Sequence, residues 1–227
     1  MFSVKNLPLI IFDCDGVLVD SEAIANQVLV KHIQQLGMNT SEDKAQFLYR
    51  GLSMATILKK IKKDFDGPLP ENFLEDIQRE TFSCFRKNLT AIKDVEKNII
   101  ELLKKGFKIC VASSGSYEKI HLTLSITGLY SYFAPDIFSA SEVRNGKPSP
   151  DLFLFAAEKM GFSANQCIVI EDSIPGIQAA NRAGMKALAY CAQESQGVPS
   201  QFLESNAVIF QHMNALPTLI SKAINTD

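Results

Sequence analysis

The chain has 227 residues, of which 46% are hydrophobic and 21% charged, with a formal net charge of −2. This is the balance of an ordinary globular protein, one large domain or a domain carrying a smaller one, and it excludes a disordered or fibrous chain. So slight a charge gives no global field to attract nucleic acid or an anionic membrane, and neither is expected as a partner.

The first apolar run, residues 7–12, stops at Asp13. It is too short to cross a membrane, and no small-residue cleavage site follows it. Within it, "LIIF" (9–12) predicts a strand that runs out into Asp13-Cys14-Asp15-Gly16. Two like charges one residue apart, at the end of a buried run, need something positive to offset their repulsion and lost hydration.

From about residue 20 to residue 88 no strand is predicted. The amphipathic stretches "EAIANQVLVKHIQQLG" and "PENFLEDIQRETFSCFRKNL", punctuated by "DGPLP" (66–70), predict a helical insertion with hinges near 17–20 and 88–94. Lys59, Lys60, Lys62 and Lys63 form a basic cluster there, but their spacing spreads them over different helix faces, as on a solvated surface.

Beyond the insertion, "FKICVA" (107–112), "DIF" (136–138), "CIVIE" (167–171), "KALAYC" (186–191) and "AVIF" (207–210) lack polar alternation, as strands covered on both faces do. Helices are predicted between them. Gly106 stops "VEKNIIELLKK"; Ser149 caps and Pro150 opens a helix that Gly161 stops; Gly184 ends another that begins near Pro175. The expected fold class is α/β, a doubly wound parallel sheet of Rossmann-like type. Residues 1–17 and 92–227 form this core, and residues 18–91 an inserted helical cap. The cysteines at 14, 84, 110, 167 and 191 have neither metal-ligand nor redox spacing. They read as buried free thiols, and cytoplasm is the expected compartment.

Ligands of open parallel sheets bind beyond the carboxyl ends of the strands. Asp13-Cys14-Asp15-Gly16 follows the first strand and Ser113-Ser114-Gly115-Ser116 the second; Gly146-Lys147-Pro148 comes after the third and Glu171-Asp172-Ser173 after the fourth. Acids from two strand tips make a hard oxygen cage suited to Mg²⁺. The Ser113 hydroxyl, the backbone N–H groups of Ser114 and Gly115, and the helix N-terminus that follows can hold phosphoryl oxygens. Lys147 supplies a mobile point charge that can bridge phosphate and carboxylate. Phosphoryl transfer requires this set, and an aspartate can serve as its nucleophile through an aspartyl-phosphate. Taken singly, each feature has a plainer reading: turn acids, a helix cap, a surface lysine, acids favoured by a helix dipole. Their coincidence at four strand ends points to catalysis.

The motifs "DCDGVLVDSE", "VASSGS", "GKPSPDLF" and "IEDSIPGIQAANRAGM" span nearly the whole chain. Through them the sequence resembles the haloacid dehalogenase superfamily, and more narrowly its β-phosphoglucomutase-like branch, with a helical cap inserted after the first motif. The first motif, the late "YCA" and the following "LP" are similar to 6-phosphogluconate phosphatase-like members. The resemblance implies Asp13 as nucleophile and Asp15 as general acid, then base. It implies Ser113 and Lys147 on the transferring phosphate. Asp172, Asp13 and the backbone carbonyl of Asp15 would ligate Mg²⁺, with Glu171 a direct or water-bridged second acid. The dehalogenases proper lack the acid that stands at Asp15 and use no metal.

Arg50 and Gly51 match the family's specificity loop. Arg50 there either pairs with a hydroxyl-rich or carboxylate-bearing leaving group or is a solvated helix-end residue. Where the mutases carry a cap-side histidine, ten residues past the second aspartate, this chain has Ala25, and His32 is the nearest histidine. Where they carry an arginine after the cap-loop glycine, it has Met54. Both departures favour water as the acceptor. The expectation is a monomeric Mg²⁺-dependent phosphatase acting on a small phosphorylated sugar or sugar acid. The alternatives are a hexose-phosphate mutase and a non-catalytic phosphometabolite-binding module; binding alone has no need of a second acid placed for proton transfer. Tyr117, which opens the helix after the serine turn, is read either as core or as pocket lining.

Overall fold

The apolar runs become strands because each can be covered on both faces. In the computed structural model, which describes residues 7–49, 52, 54–192 and 200–225, the chain begins with β1 (Leu9–Phe12) and then four helices, α1 (Glu22–Gln35), α2 (Glu42–Tyr49), α3 (Met54–Asp64) and α4 (Phe73–Asn88). There follow α5 (Val95–Lys104), β2 (Lys108–Ser113), α6 (Tyr117–Ile126), α7 (Tyr130–Phe133), β3 (Ile137–Ser139) and α8 (Asp151–Met160). The chain continues through β4 (Cys167–Glu171), α9 (Ile174–Arg182), β5 (Lys186–Tyr190), α10 (Ser200–Leu203), β6 (Val208–Phe210) and α11 (Leu216–Asn225).

Among the described residues the six strands form one parallel sheet in the order β3-β2-β1-β4-β5-β6. β1 is interior: Leu9 lies opposite both Lys108 and Cys167, and Phe12 opposite both Val111 and Ile170. Its four residues have no exposed surface. Successive side chains of a strand point to opposite faces. Ile10 and Phe12 therefore join the layer formed with α5, α6 and α11, while Leu9 and Ile11 join the layer formed with α8 and α9. Burial of each such side chain stabilises the fold by roughly 1.5–3 kcal/mol, and the double coverage explains why the strand sequence carries no polar alternation.

Several helix ends follow the sequence reading. Gly161 ends α8 in the left-handed conformation, and Gly106 and Gly184 adopt positive φ just beyond α5 and α9. Ser149 does not. Pro150 holds the cap position of α8, and the Ser149 hydroxyl donates to the Asp151 carboxylate instead of accepting from a backbone N–H.

Helices α1–α4 pack around their own apolar cluster, which includes Leu29, Ile33, Ala45, Ile57, Ile61 and Ile77. α4 also sends Phe82 and Phe85 into the layer against the sheet. The two chain segments that connect the helical group to the sheet pair with each other. Asp20 N–H donates to the Thr90 carbonyl at 2.9 Å and Ile92 N–H to the Leu18 carbonyl at 3.0 Å, with Val19 antiparallel to Ala91. Lys59, Lys60, Lys62 and Lys63 are exposed. The cysteines are free thiols, four of them buried. Among the described residues no helix is long and apolar enough to cross a membrane.

Candidate active site

The first acid sits where the sheet has one more hydrogen bond to give. Asp13 N–H donates to the Ile170 carbonyl at 2.9 Å, so its backbone prolongs β1 beside β4. The chain then turns sharply, with Leu18 and Val19 N–H groups both returning to the Cys14 carbonyl and Gly16 at φ +73°. Glycine is needed there twice over. Its conformation is left-handed, and a Cβ would collide with the Asp172 carboxylate.

β4 delivers Glu171 and Asp172 to the same point. One carboxylate oxygen from each of Asp13, Glu171 and Asp172 lies within 4.8 Å of the others, and all three residues are buried. Glu171 is held hard: Ser173 N–H and Oγ donate to its Oε2 at 2.6 and 2.8 Å. Ser173 Oγ in turn accepts from Gly176 N–H and caps α9. A Cβ on Gly176 would overlap the Glu171 carboxylate, so α9 can begin this close to the acid only with glycine in its first turn.

Lys147 enters from the loop before α8. Its Nζ donates to Asp13 Oδ1 at 2.6 Å, to Glu171 Oε1 at 2.7 Å and to the Ala112 carbonyl at 3.2 Å, and it lies 4.8 Å from the centre of the Phe153 ring. All three of its protons are committed. The side chain is 1% exposed, so the mobile charge expected from sequence is a fixed one. Burial alone would lower its pKa, but Asp13 and Glu171 overcome that and hold the ammonium above its ordinary value. Burial pushes the Asp13 carboxyl up, and the neighbouring acids add to this against the pull of Lys147.

Asp15 faces a different partner. Its Oδ2 accepts from Lys119 Nζ at 2.7 Å and its Oδ1 from the Ser21 hydroxyl. Burial favours the neutral acid, but Lys119 and the two hydrogen bonds prevail and keep the carboxyl below the usual carboxylate range. Ser113 ends β2 buried, its Oγ accepting from Gly115 N–H at 3.1 Å. Ser139 Oγ, from the adjacent β3, donates to the Gly115 carbonyl at 2.7 Å and pins that turn.

A cavity of about 430 Å³ joins these groups. Asp13, Asp15, Ser113, Ser114, Gly115, Lys147, Glu171 and Asp172 all line it, as do Ala25 and Met54 from the helical group. The expected set from four strand ends is thus gathered around one space. Arg50 and Gly51 lie outside the described residues. Tyr117 is neither core nor lining: it is half exposed, and its hydroxyl donates to the Ile137 carbonyl.

Two site residues escaped the sequence reading, Lys119 and Ser21. Lys119 falls in α6 like any amphipathic-helix lysine, 104 positions from Asp15. The available signal was its place one turn into the helix that the serine turn starts, where a long side chain can reach back to the sheet edge.

The three acids face one buried ammonium in Lys147, so the cluster is short of positive charge. An oxygen-only donor set of this kind suits Mg²⁺. Asp13, Glu171 and Asp172 are the residues that could hold it, and of these Glu171 accepts from both Ser173 and Lys147.

Comparison with known proteins bears on the same edge. The sequence profile described as haloacid dehalogenase-like hydrolase matches residues 10–190. The 6-phosphogluconate phosphatase of Escherichia coli (strain K12) is 26% identical over 95% of this chain and 96% of its own length. A haloacid dehalogenase-like protein of unknown function from Agrobacterium tumefaciens has a crystal structure that superposes with a TM-score of 0.78, at 32% identity over 95% of this chain and 98% of that one. The fold is also that of a β-phosphoglucomutase from Clostridium difficile, with a TM-score of 0.83 at 23% identity over 96% of this chain and 97% of that one. With its sheet order, its acid-bearing strand tips and this match, the chain is an enzyme of the haloacid dehalogenase-like hydrolase family.

Proposed function

We propose that the chain is a Mg²⁺-dependent phosphatase that hydrolyses a small phosphorylated metabolite of the sugar-phosphate class, a sugar phosphate or phosphosugar acid, through an aspartyl-phosphate on Asp13. The observation that carries this reading is the buried convergence of Asp13, Glu171 and Asp172 on a space bordered by Lys147. Curated relatives include a 6-phosphogluconate phosphatase and a phosphorylated carbohydrates phosphatase, which supports the reaction class.

Asp13, Asp172 and the backbone carbonyl of Asp15 would hold the cation, which would supply charge neutralisation for the phosphoryl group. Asp13 attacks phosphorus with the carboxylate oxygen that faces the cavity. Lys147 orients that carboxylate and offsets charge on the equatorial oxygens. The Ser113 hydroxyl and the Ser114 N–H take further phosphoryl oxygens at the tip of β2, and the Gly115 N–H joins them by giving up its bond to Ser113 Oγ. Asp15 gives a proton to the leaving oxygen, then takes one from the water that breaks the acyl phosphate. For the first of these acts it must arrive protonated, so its contact with Lys119 has to loosen as substrate enters.

Hydrolysis rather than mutation is supported by Ala25 and Met54, which border the cavity and offer neither an imidazole nor a guanidinium there. Residues 18–91 would act as a cap, with the paired segments around Val19 and Ala91 as the hinge that admits substrate and regulates water.

The test is direct. The protein with Mg²⁺ should release inorganic phosphate from an aryl phosphate, stop when the metal is chelated, and recover when it is restored. Asp13→Asn should abolish release; undiminished activity in that variant would remove the assigned nucleophile.

A further inference from the structure

The helical side of the cavity carries polar groups beside its apolar ones, and several already have partners. Ser21 donates to Asp15, Asn26 to the Glu42 carbonyl at 2.8 Å and Gln78 to the Glu118 carboxylate at 3.1 Å. Gln46 makes no hydrogen bond among the described residues but is only half-buried, within reach of water. The Tyr49 hydroxyl lies in the field of Asp64, the last residue of α3. Thr81 differs from all of these. It lines the cavity, is 8% exposed, and its Oγ1 has no hydrogen-bond partner among the described residues.

A hydroxyl within a helix commonly turns back to a carbonyl three or four residues earlier. Thr123 donates to the Ile120 carbonyl at 3.1 Å, Thr127 to the Thr123 carbonyl at 2.8 Å and Ser221 to the Pro217 carbonyl at 2.9 Å. Thr81 makes no such bond, so its hydroxyl is left for whatever fills the cavity. A buried hydroxyl without a partner is costly, and in a native fold it calls for a reason. Its position is fixed from both sides. One turn before it, Gln78 ties α4 to α6 through Glu118; one turn after it, Phe85 packs on the sheet layer with Lys119 Nζ 5.9 Å from the centre of its ring. Residues four apart on a helix share a face, and Lys119 is bound to Asp15. Thr81 therefore stands one turn of α4 beyond the proposed proton donor, where a leaving group protonated by Asp15 has to extend.

We infer that Thr81 is a specificity-determining residue, whose hydroxyl exchanges a hydrogen bond with a hydroxyl of the leaving group near the scissile oxygen. The inference rests on the phosphatase reading and deepens it. An ester whose chain carries no hydroxyl at that place leaves Thr81 Oγ1 buried and unpaired, and is rejected for that reason.

The experiment measures kcat/KM for sorbitol 6-phosphate, glucose 6-phosphate and 6-phosphogluconate against n-hexyl phosphate, with p-nitrophenyl phosphate to follow the chemistry in each protein. The wild type should favour at least one hydroxylated ester over the hexyl ester, and Thr81→Val should lower that ratio by about 10-fold, the scale of one buried hydrogen bond left unmade. Thr81→Ser, which keeps the hydroxyl, should retain most of the ratio. A ratio unchanged in Thr81→Val, or losses of equal size on the hydroxylated, hexyl and aryl esters, overturns the inference and leaves the phosphatase reading standing. So does a serine variant as impaired as the valine one, since the methyl group and not the hydroxyl would then carry the effect. No phosphate released by the wild type from any ester, the aryl phosphate included, overturns the phosphatase reading and the inference with it.

Discussion

Asp15 and Asp13 are two residues apart and differ in every neighbour that matters. Asp13 shares Lys147 with Glu171, whereas Asp15 is paired with Lys119 and Ser21. Burial pushes the Asp13 carboxyl up, whereas Lys119 and Ser21 overcome burial and hold Asp15 down. The proposed roles therefore require a cation beside Asp13 to keep it ionised and a loosened Lys119 contact to let Asp15 carry a proton. Asp15→Asn should lower kcat/KM for an alkyl phosphate by about 10²–10⁴-fold, the usual scale of general acid catalysis. For an aryl phosphate with an acidic phenol the fall should be far smaller, since that leaving group needs no proton. Equal losses for both esters would show that Asp15 does not protonate the leaving oxygen. The acids themselves were legible in the sequence, because like charges at the end of a buried run demand a partner. Their partners were less so: Lys119 and Ser21 become visible only once α6 and the hinge lie beside the strand tip.

Among the elements, α4 spans two environments. Its Phe73 and Ile77 join the helical cluster, while Phe82 and Phe85 pack on the sheet layer, and Lys119 Nζ lies 5.9 Å from the centre of the Phe85 ring. Phe85 has no exposed surface. Phe85→Ala should therefore cost about 3–5 kcal/mol in urea unfolding, while Phe47→Ala, at a position 79% exposed, should stay within about 0.5 kcal/mol. A cost near zero for Phe85 would mean that α4 is not anchored to the sheet. The strands were readable because burial on both faces leaves an unbroken apolar run, and "CIVIE" was right to the residue. Helix starts were harder. Ser149 carries every local sign of a cap, yet its hydroxyl has a carboxylate within reach at Asp151, and the charged acceptor wins.

At the scale of the whole molecule, four segments far apart in sequence meet at one edge because β1 lies between β2 and β4 and all three run the same way. Lys147 reaches Asp13 across 134 positions of chain. Strand order of this kind follows from the doubly wound topology, so the core-side half of the site could be read from motif positions alone. The cap-side half could not: which residues of an amphipathic helix face a cavity depends on how α1–α4 sit over the sheet, and local periodicity does not fix that. The account as a whole stands on Asp13 as the residue that receives the phosphoryl group. Asp15→Asn, in which water is not activated, should let that adduct accumulate from an aryl phosphate until an acid quench. Peptide mass spectrometry should then find phosphate on the peptide that contains Asp13, discharged by hydroxylamine. Phosphate on Ser113 or any other residue, or continued phosphate release with no protein-bound phosphate, would contradict it.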